Sequence, residues 1–168
     1  YLKYHIYNHM FPSLLKDMLI SDYFLTKFDF DILKFNQVTY NLFESDFCWN
    51  NCIISGGILS KIIFKMDIND PLFISSDIDL YLYGSKDDKI NKLNNIIKYF
   101  SEKYKSRMVL VNRYNLIELF FKGVKRKIQI ICTNYYTPLE IVLSFDFSYV
   151  RLCFDGKNCW VTDDFIHT

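Results

Sequence analysis

The sequence of 168 residues predicts an α+β fold: a mixed β-sheet with helices packed on one face, preceded by an N-terminal helical segment. Three observations predict it. Residues 1–46 carry apolar side chains mostly at helical spacing. From residue 52 onward, short apolar or alternating stretches of strand type dominate, broken by one long helical stripe. The order is then strand, helix, strand, helix and a run of strands, which suits a mixed sheet carrying helices.

The elements follow from the pattern in turn. Pro12-Ser13 precedes Leu14, Leu15, Met18 and Leu19, spaced along one helical face, and a second helix is expected over residues 30–45. Cys52-Ile53-Ile54-Ser55 is a short apolar strand closed by Gly56-Gly57, and Ile58, Leu59, Ile62 and Ile63 follow at helical spacing. Residues 66–76 contain Asn69, Asp70 and Pro71 and read as a loop. Ile78, Leu80 and Leu82 alternate with Asp77, Asp79, Tyr81 and Tyr83, a strand pattern. Ile90, Leu93, Ile96, Ile97 and Phe100 stripe a helix over residues 86–103. Strands are expected at 107–112, 115–122 and 126–132, a short helix from Pro138 to Leu143, and a closing hairpin of 149–154 and 159–161 around Asp155-Gly156. The division is a helical segment over 1–46 and a core domain over 47–168.

Composition excludes several classes. With 51% hydrophobic and 18% aromatic residues the chain can bury a large core, so global disorder is excluded. A formal charge of +1 does not indicate a strongly basic nucleic-acid binder, although Lys122, Lys125, Arg126 and Lys127 form a local basic cluster. That cluster reads first as a solvated turn between strands. No apolar run approaches the roughly 18 residues of a membrane span, and no signal peptide is visible, so a cytoplasmic protein is expected. The five Cys form no CxxC pair, so buried free thiols are expected rather than a disulfide frame or a zinc site. The sequence has no Ala and far more Lys than Arg. That bias is what strongly AT-rich coding produces, in a genome such as that of a large DNA virus or an AT-rich protist.

The chemistry concentrates in Ser55-Gly56-Gly57 and Asp77-Ile78-Asp79. Glycine at a strand-to-helix turn lets the backbone approach a phosphate, and the first amides of the helix face that anion. Residues two apart on a strand share a face, so Asp77 and Asp79 project side by side. Paired carboxylates repel unless a cation lies between them. Magnesium, an oxygen-seeking ion that also binds phosphates, suits the pair, with manganese as a substitute. A Gly-Gly turn alone is commonly structural and Asp-x-Asp alone is commonly solvated. Their order, with a helix between them, points to a site for a metal-bound nucleoside triphosphate. One ion would activate an attacking hydroxyl and another would stabilise the leaving pyrophosphate.

Ser55-Gly56-Gly57 followed by Ser76-Asp77-Ile78-Asp79-Leu80 resembles the signature of the DNA polymerase β-like nucleotidyltransferase superfamily, which includes uncharacterised members in large DNA viruses. The stretch Ser144-Phe145-Asp146-Phe147-Ser148 is similar to the tail of such viral and fungal members. The resemblance covers about residues 50–132, with weaker support to about 162. It implies that Gly56 and Gly57 touch the triphosphate, that Ser55 and Ser60 assist, and that Asp77 and Asp79 hold magnesium. It further implies transfer of a nucleoside monophosphate to a hydroxyl of RNA, protein or a small molecule. Two features depart from the pattern. The spacer between Gly57 and Asp77 is long, and Gln129 occupies the strand position where active members carry a third carboxylate. Asp146 is the expected third carboxylate and base, with Glu118 as the other carboxylate in reach. If neither serves, the expectation is a catalytically degenerate binding or scaffold module in RNA processing.

Overall fold

A computed structural model of the chain describes residues 24–114 and 116–168. The helix expected around Leu14 to Leu19 lies outside them. The described elements are β1 (Thr26–Phe28), α1 (Ile32–Val38), β2 (Cys52–Ser55), α2 (Gly57–Ile63), α3 (Pro71–Ile74), β3 (Ile78–Leu82) and α4 (Lys86–Tyr104). They continue as β4 (Met108–Asn112), β5 (Ile117–Phe121), β6 (Ile128–Cys132), α5 (Pro138–Leu143), β7 (Leu152–Phe154), β8 (Cys159–Val161) and α6 (Asp163–Ile166). Short 3-10 turns precede β4 and β7.

The eight strands form one mixed sheet in the order β1-β8-β7-β2-β3-β6-β5-β4. β3 and β6 run parallel, and the other described neighbours are antiparallel. The fold class is α+β, as the sequence predicts. The parallel pair needs a long connection, and α4 with the β4–β5 hairpin supplies it. α4 begins cleanly because Ser85 and Asp88 form a reciprocal capping box.

Strand burial shows why helices lie on both faces rather than one. All four residues of β2 are buried, as are four of the five of β3 and of β6. A strand buried on both sides needs cover on both sides. One face carries the main core. There Ile54, Leu80, Ile130 and Phe154 meet Phe35 near α1, Leu59 of α2 and Ile96 and Phe100 of α4. The opposite face carries a smaller cluster, in which Ile53, Tyr81, Ile131 and Cys153 are covered by Ile141, Val142 and Phe145 around α5. The expectation of helices on one face is corrected on this point: α5 packs on the second.

The N-terminal reading is corrected too. Thr26–Phe28 is a strand, not helix, and pairs with β8 through Thr26↔Val161 and Phe28↔Cys159. An unpaired β8 would leave an open edge, and β1 covers it. α1 also stops short of the expected residue 45: Tyr40 and Asn41 adopt φ of 57° and 51°, and the Asn41 amide returns to the Asn36 carbonyl at 2.9 Å. The chain then loops through Phe43, Phe47 and Trp49, whose rings pack edge-on or tilted against one another and against Phe100 and Phe154. The five cysteines are free thiols and only Cys48 is exposed, as the sequence suggests.

Arg126 ties the layers together. It is 6% exposed, and its guanidinium donates to the Val38 carbonyl at 2.9 Å, to the Phe73 carbonyl at 2.7 Å and to the Ser76 carbonyl. The basic cluster therefore does not act as a unit. Lys122 and Lys125 are exposed, whereas Arg126 is a buried brace for the segment leading into Asp77.

The β7–β8 turn is held by a close contact. Gly156 has φ of +96°, and a Cβ built there would overlap the Trp49 ring. Gly156→Ala is expected to cost about 2–3 kcal/mol through overpacking and backbone strain. Gly123→Ala, with φ of +82° and open space around it, is expected to lose only the strain part, about 1 kcal/mol. Urea unfolding of both variants measures the difference, and equal losses would show that the Trp49 contact carries none of it.

Candidate functional site

The antiparallel pairing of β2 with β3 places Ser55 opposite Asp79. The parallel pairing of β3 with β6 places Asp79 beside Gln129, and Gln129 in turn pairs with Glu118 on β5. Ser55, Asp79, Gln129 and Glu118 thus form one row across four strands. Cys153 extends the row on β7. Alternation puts Tyr81 on the same face as Asp79, so this is the face that α5 covers.

Gly56, at the end of β2, caps α2 with φ of +97°, and no side chain caps that helix. A Cβ on Gly56 would lie 3.1 Å from Asp79 Oδ2, and one on Gly57 would lie 3.3 Å from Lys61 Nζ. The glycine turn and the second acid of Asp77-x-Asp79 therefore touch. Glycine is required at 56 for two reasons at once: the positive φ and the close approach of the carboxylate.

Asp79 is half-buried, and its Oδ1 is shut from solvent with no hydrogen-bond partner. Burial pushes its carboxyl up to about 7, the charge of Asp77 adds to that, and Lys127 and Lys61 oppose it. Asp77 is half-buried. Burial raises its carboxyl above the ordinary value, against the pull of Lys127, whose Nζ lies 3.9 Å from Asp77 Oδ2. Both acids are thus destabilised as anions, and both are short of donors.

Glu118 is the opposite case. Its side chain is 2% exposed and takes hydrogen bonds from Lys127 at 2.6 Å, from Gln129 at 3.2 Å and from Arg113. The Lys127 and Arg113 bonds hold its carboxyl down to about 2. Glu118 is an anion at any ordinary pH, with its oxygens already engaged.

The two serines are committed elsewhere. Ser55 Oγ donates to the Leu152 carbonyl, and Ser60 Oγ donates to the Tyr149 carbonyl at 2.7 Å. Both hydroxyl protons pin the β2–α2 corner to the 148–152 segment. Asp146 is exposed and stands between Phe145, which packs on Tyr81, and that same segment. The contacts described for Asp77 and Asp79 do not include it.

Lys61 is a site residue that sequence reading missed. Its Nζ donates to Ser76 Oγ at 2.6 Å, next to Asp77, and its charge acts on Asp79. A signal was present: Lys61 follows Gly57 by four residues, and so shares its face of the helix. Among the described residues, no group of three or more His, Cys, Asp and Glu is arranged to hold a metal. Asp77 and Asp79 offer two carboxylates, so any magnesium here would take its remaining ligands from phosphates or water.

No helix among the described residues is long and apolar enough to cross a membrane. The chain matches no curated protein and no solved structure. A family model described as "Gad2: Gabija anti-defense 2 family protein" matches residues 29–168, a span that holds all of the site just described. The chain belongs to the Gabija anti-defense 2 family.

Proposed function

We propose that the chain is a magnesium-dependent nucleotidyltransferase with a DNA polymerase β-like core, moving a nucleoside monophosphate from a triphosphate to a hydroxyl of RNA, protein or a small molecule. One observation carries the reading: a glycine turn without a side-chain cap lies against Asp79, a half-buried carboxylate whose Oδ1 is shut from solvent and has no partner. Burying an unpaired carboxylate is costly, and such a group persists where a ligand completes it. The glycine strand and the Asp-x-Asp strand are antiparallel neighbours, which sets anion cradle and acids side by side.

The donor set fits magnesium delivered with a triphosphate: Asp77 and Asp79 would hold the ion. When bound, magnesium neutralises phosphate charge and acidifies a coordinated hydroxyl. The chain's own groups do the rest. Gly56 and Gly57 leave room for phosphate oxygens, Lys61 offers an ammonium beside them, and Arg126 fixes the backbone at Ser76, just ahead of Asp77. On this reading Asp146, exposed after α5, is the carboxylate assigned to take the acceptor's proton.

The family name attributes to its members an action against a Gabija defence. We carry that onto this chain as the purpose of the reaction, set in the cytoplasm, with the acceptor drawn from that defence. A second reading is favoured by the Gln129–Glu118 pair. Gln129 is neutral, and Glu118 is locked by three donors. On that reading the chain binds nucleotide without turnover and acts as a binding or scaffold module.

Magnesium with a nucleoside triphosphate is expected to raise the melting temperature, since a ligand of the native state stabilises by mass action. Neither alone is expected to do so fully, and Asp77→Ala is expected to abolish the shift. Labelled-nucleotide transfer then separates the two readings: transfer that Asp77→Ala abolishes supports the enzyme, and magnesium-dependent binding without transfer supports the module. A wild-type shift that Asp77→Ala retains would remove the site altogether.

Asp79 generates a pH prediction. Its carboxyl ionises near 3.8 in the unfolded chain and about 7 in the folded one. Between those values the folded state holds a proton that the unfolded state has lost. Stability conferred by that proton is fully present below the lower value and is lost as pH rises through the upper one, by roughly 4 kcal/mol at most. Asp79→Asn is expected to flatten this fall and to be more stable than the wild type at pH 8, while losing magnesium-dependent nucleotide binding. Urea unfolding at pH 5 and pH 8 checks it; an unchanged pH slope in Asp79→Asn would sink it.

A further inference from the structure

Lys127 stands at the centre of the site's charges. β6 runs parallel to β3 with Ile78 beside Ile128, so Lys127 enters next to Asp77 just as Gln129 enters next to Asp79. The Lys127 ammonium lies 2.6 Å from Glu118 Oε2 and 3.9 Å from Asp77 Oδ2, with the Phe120 ring centroid 5.7 Å away. Its bond to Glu118 raises its own proton affinity, so it stays a cation. It therefore lies between one acid of the Asp pair and the carboxylate of the neighbouring strand.

Charge decides what else can enter. Ionised Asp77, Asp79 and Glu118 supply three negative charges, and Lys127, Arg113 and Lys61 supply three positive ones. Gln129 adds none. Two divalent ions bound side by side need a further carboxylate to bridge or balance them; the position in register with Asp79 is an amide, which leaves Glu118, the carboxylate that Lys127 occupies. An ion seated between Asp77 and Glu118 would also meet the ammonium already there.

We propose, building on the nucleotide-site reading above, that the Lys127 ammonium takes the place of a second divalent ion, so that the site admits one divalent cation with its triphosphate. Lysine suits this task because it is a compact point charge with three donors. Tethered to β6, it engages Asp77 and Glu118 whatever the magnesium concentration. Gln129 completes the arrangement by donating to Glu118 instead of competing for a metal. Asp77 and Asp79 would hold the one divalent ion, beside the glycine turn.

Manganese counting tests this without any turnover. The full chain is titrated with Mn2+ in the presence of a triphosphate whose α,β-bridge is a methylene, and bound ion is read by electron paramagnetic resonance. The wild type and Lys127→Arg are expected to hold one Mn2+ per chain, and Lys127→Gln, which removes the charge but keeps a donor for Glu118, is expected to hold two. Two ions in the wild type, or one in a folded Lys127→Gln, would overturn the inference while leaving the nucleotide site standing. No bound Mn2+ in the wild type would overturn the nucleotide-site reading and this inference with it. Circular dichroism establishes that the Gln variant is folded; if it is not, the wild-type and Lys127→Arg counts decide.

Discussion

The contact between the Gly56 backbone and the Asp79 carboxylate organises the molecule. Asp79 lies against β2 where residue 56 has no side chain: a Cβ there would sit only 3.1 Å from Asp79 Oδ2, and the φ of +97° is one that other residues rarely adopt. That contact in turn requires β2 and β3 to be antiparallel neighbours in one register. A shift of one residue would carry Asp79 to the opposite face and into the main core, where Leu80 now lies. The packing of Ile54, Leu80 and Ile130 on one face and of Ile53, Tyr81 and Ile131 on the other forbids the shift. Core and site are thus specified by the same alternation.

The second face is covered unevenly. α5 and the residues after it close over Ile53, Tyr81, Ile131 and Cys153. They leave the far end of the row to charged groups. Arg151 secures the cover by donating to the Phe145 carbonyl at 3.0 Å and pairing with Asp164 at 2.6 Å. Ser55 and Ser60 secure the opposite flank through the Leu152 and Tyr149 carbonyls. Ser55 and Ser60, which the sequence places beside a ligand, also brace the corner between β2 and α2. Side-chain hydroxyls near a glycine turn have two uses, and the sequence does not distinguish them.

Most of the sheet was legible because its strands obey simple rules. β2 matches its expected span, β3 and β6 lie within theirs, and α4 differs by one residue, because apolar stripes and a capping box mark them. β1 was not legible: three residues, Thr26 to Phe28, are too few for a period, and their partner β8 lies at the other end of the chain. The early end of α1 depended on left-handed Tyr40 and Asn41, a choice local propensity does not make for tyrosine. In the site, Asp77, Asp79, Gly56 and Gly57 were legible from spacing on neighbouring elements. Lys127 and Arg126 were not, since adjacent basic residues on a strand look alike in sequence although they point to opposite faces. One became a buried brace and the other the partner of Glu118.

The site divides its acids by how many donors they have already found. Glu118 has three and is held as an anion, which makes it a fixed part of the scaffold whatever solvent or ligand arrives. Asp79 has an oxygen with none, although both acids lie on the same face of the sheet, on strands separated only by β6. Strand position therefore cannot explain the difference; the neighbours do. Arg113 and Lys127 converge on Glu118, while a glycine with nothing to donate from a side chain lies against Asp79. Adding a cationic residue there would satisfy Asp79 and fill the cradle in one step. A bare turn beside an unpaired acid is the place that the proposed metal-bound triphosphate, a cation and an anion arriving together, would take.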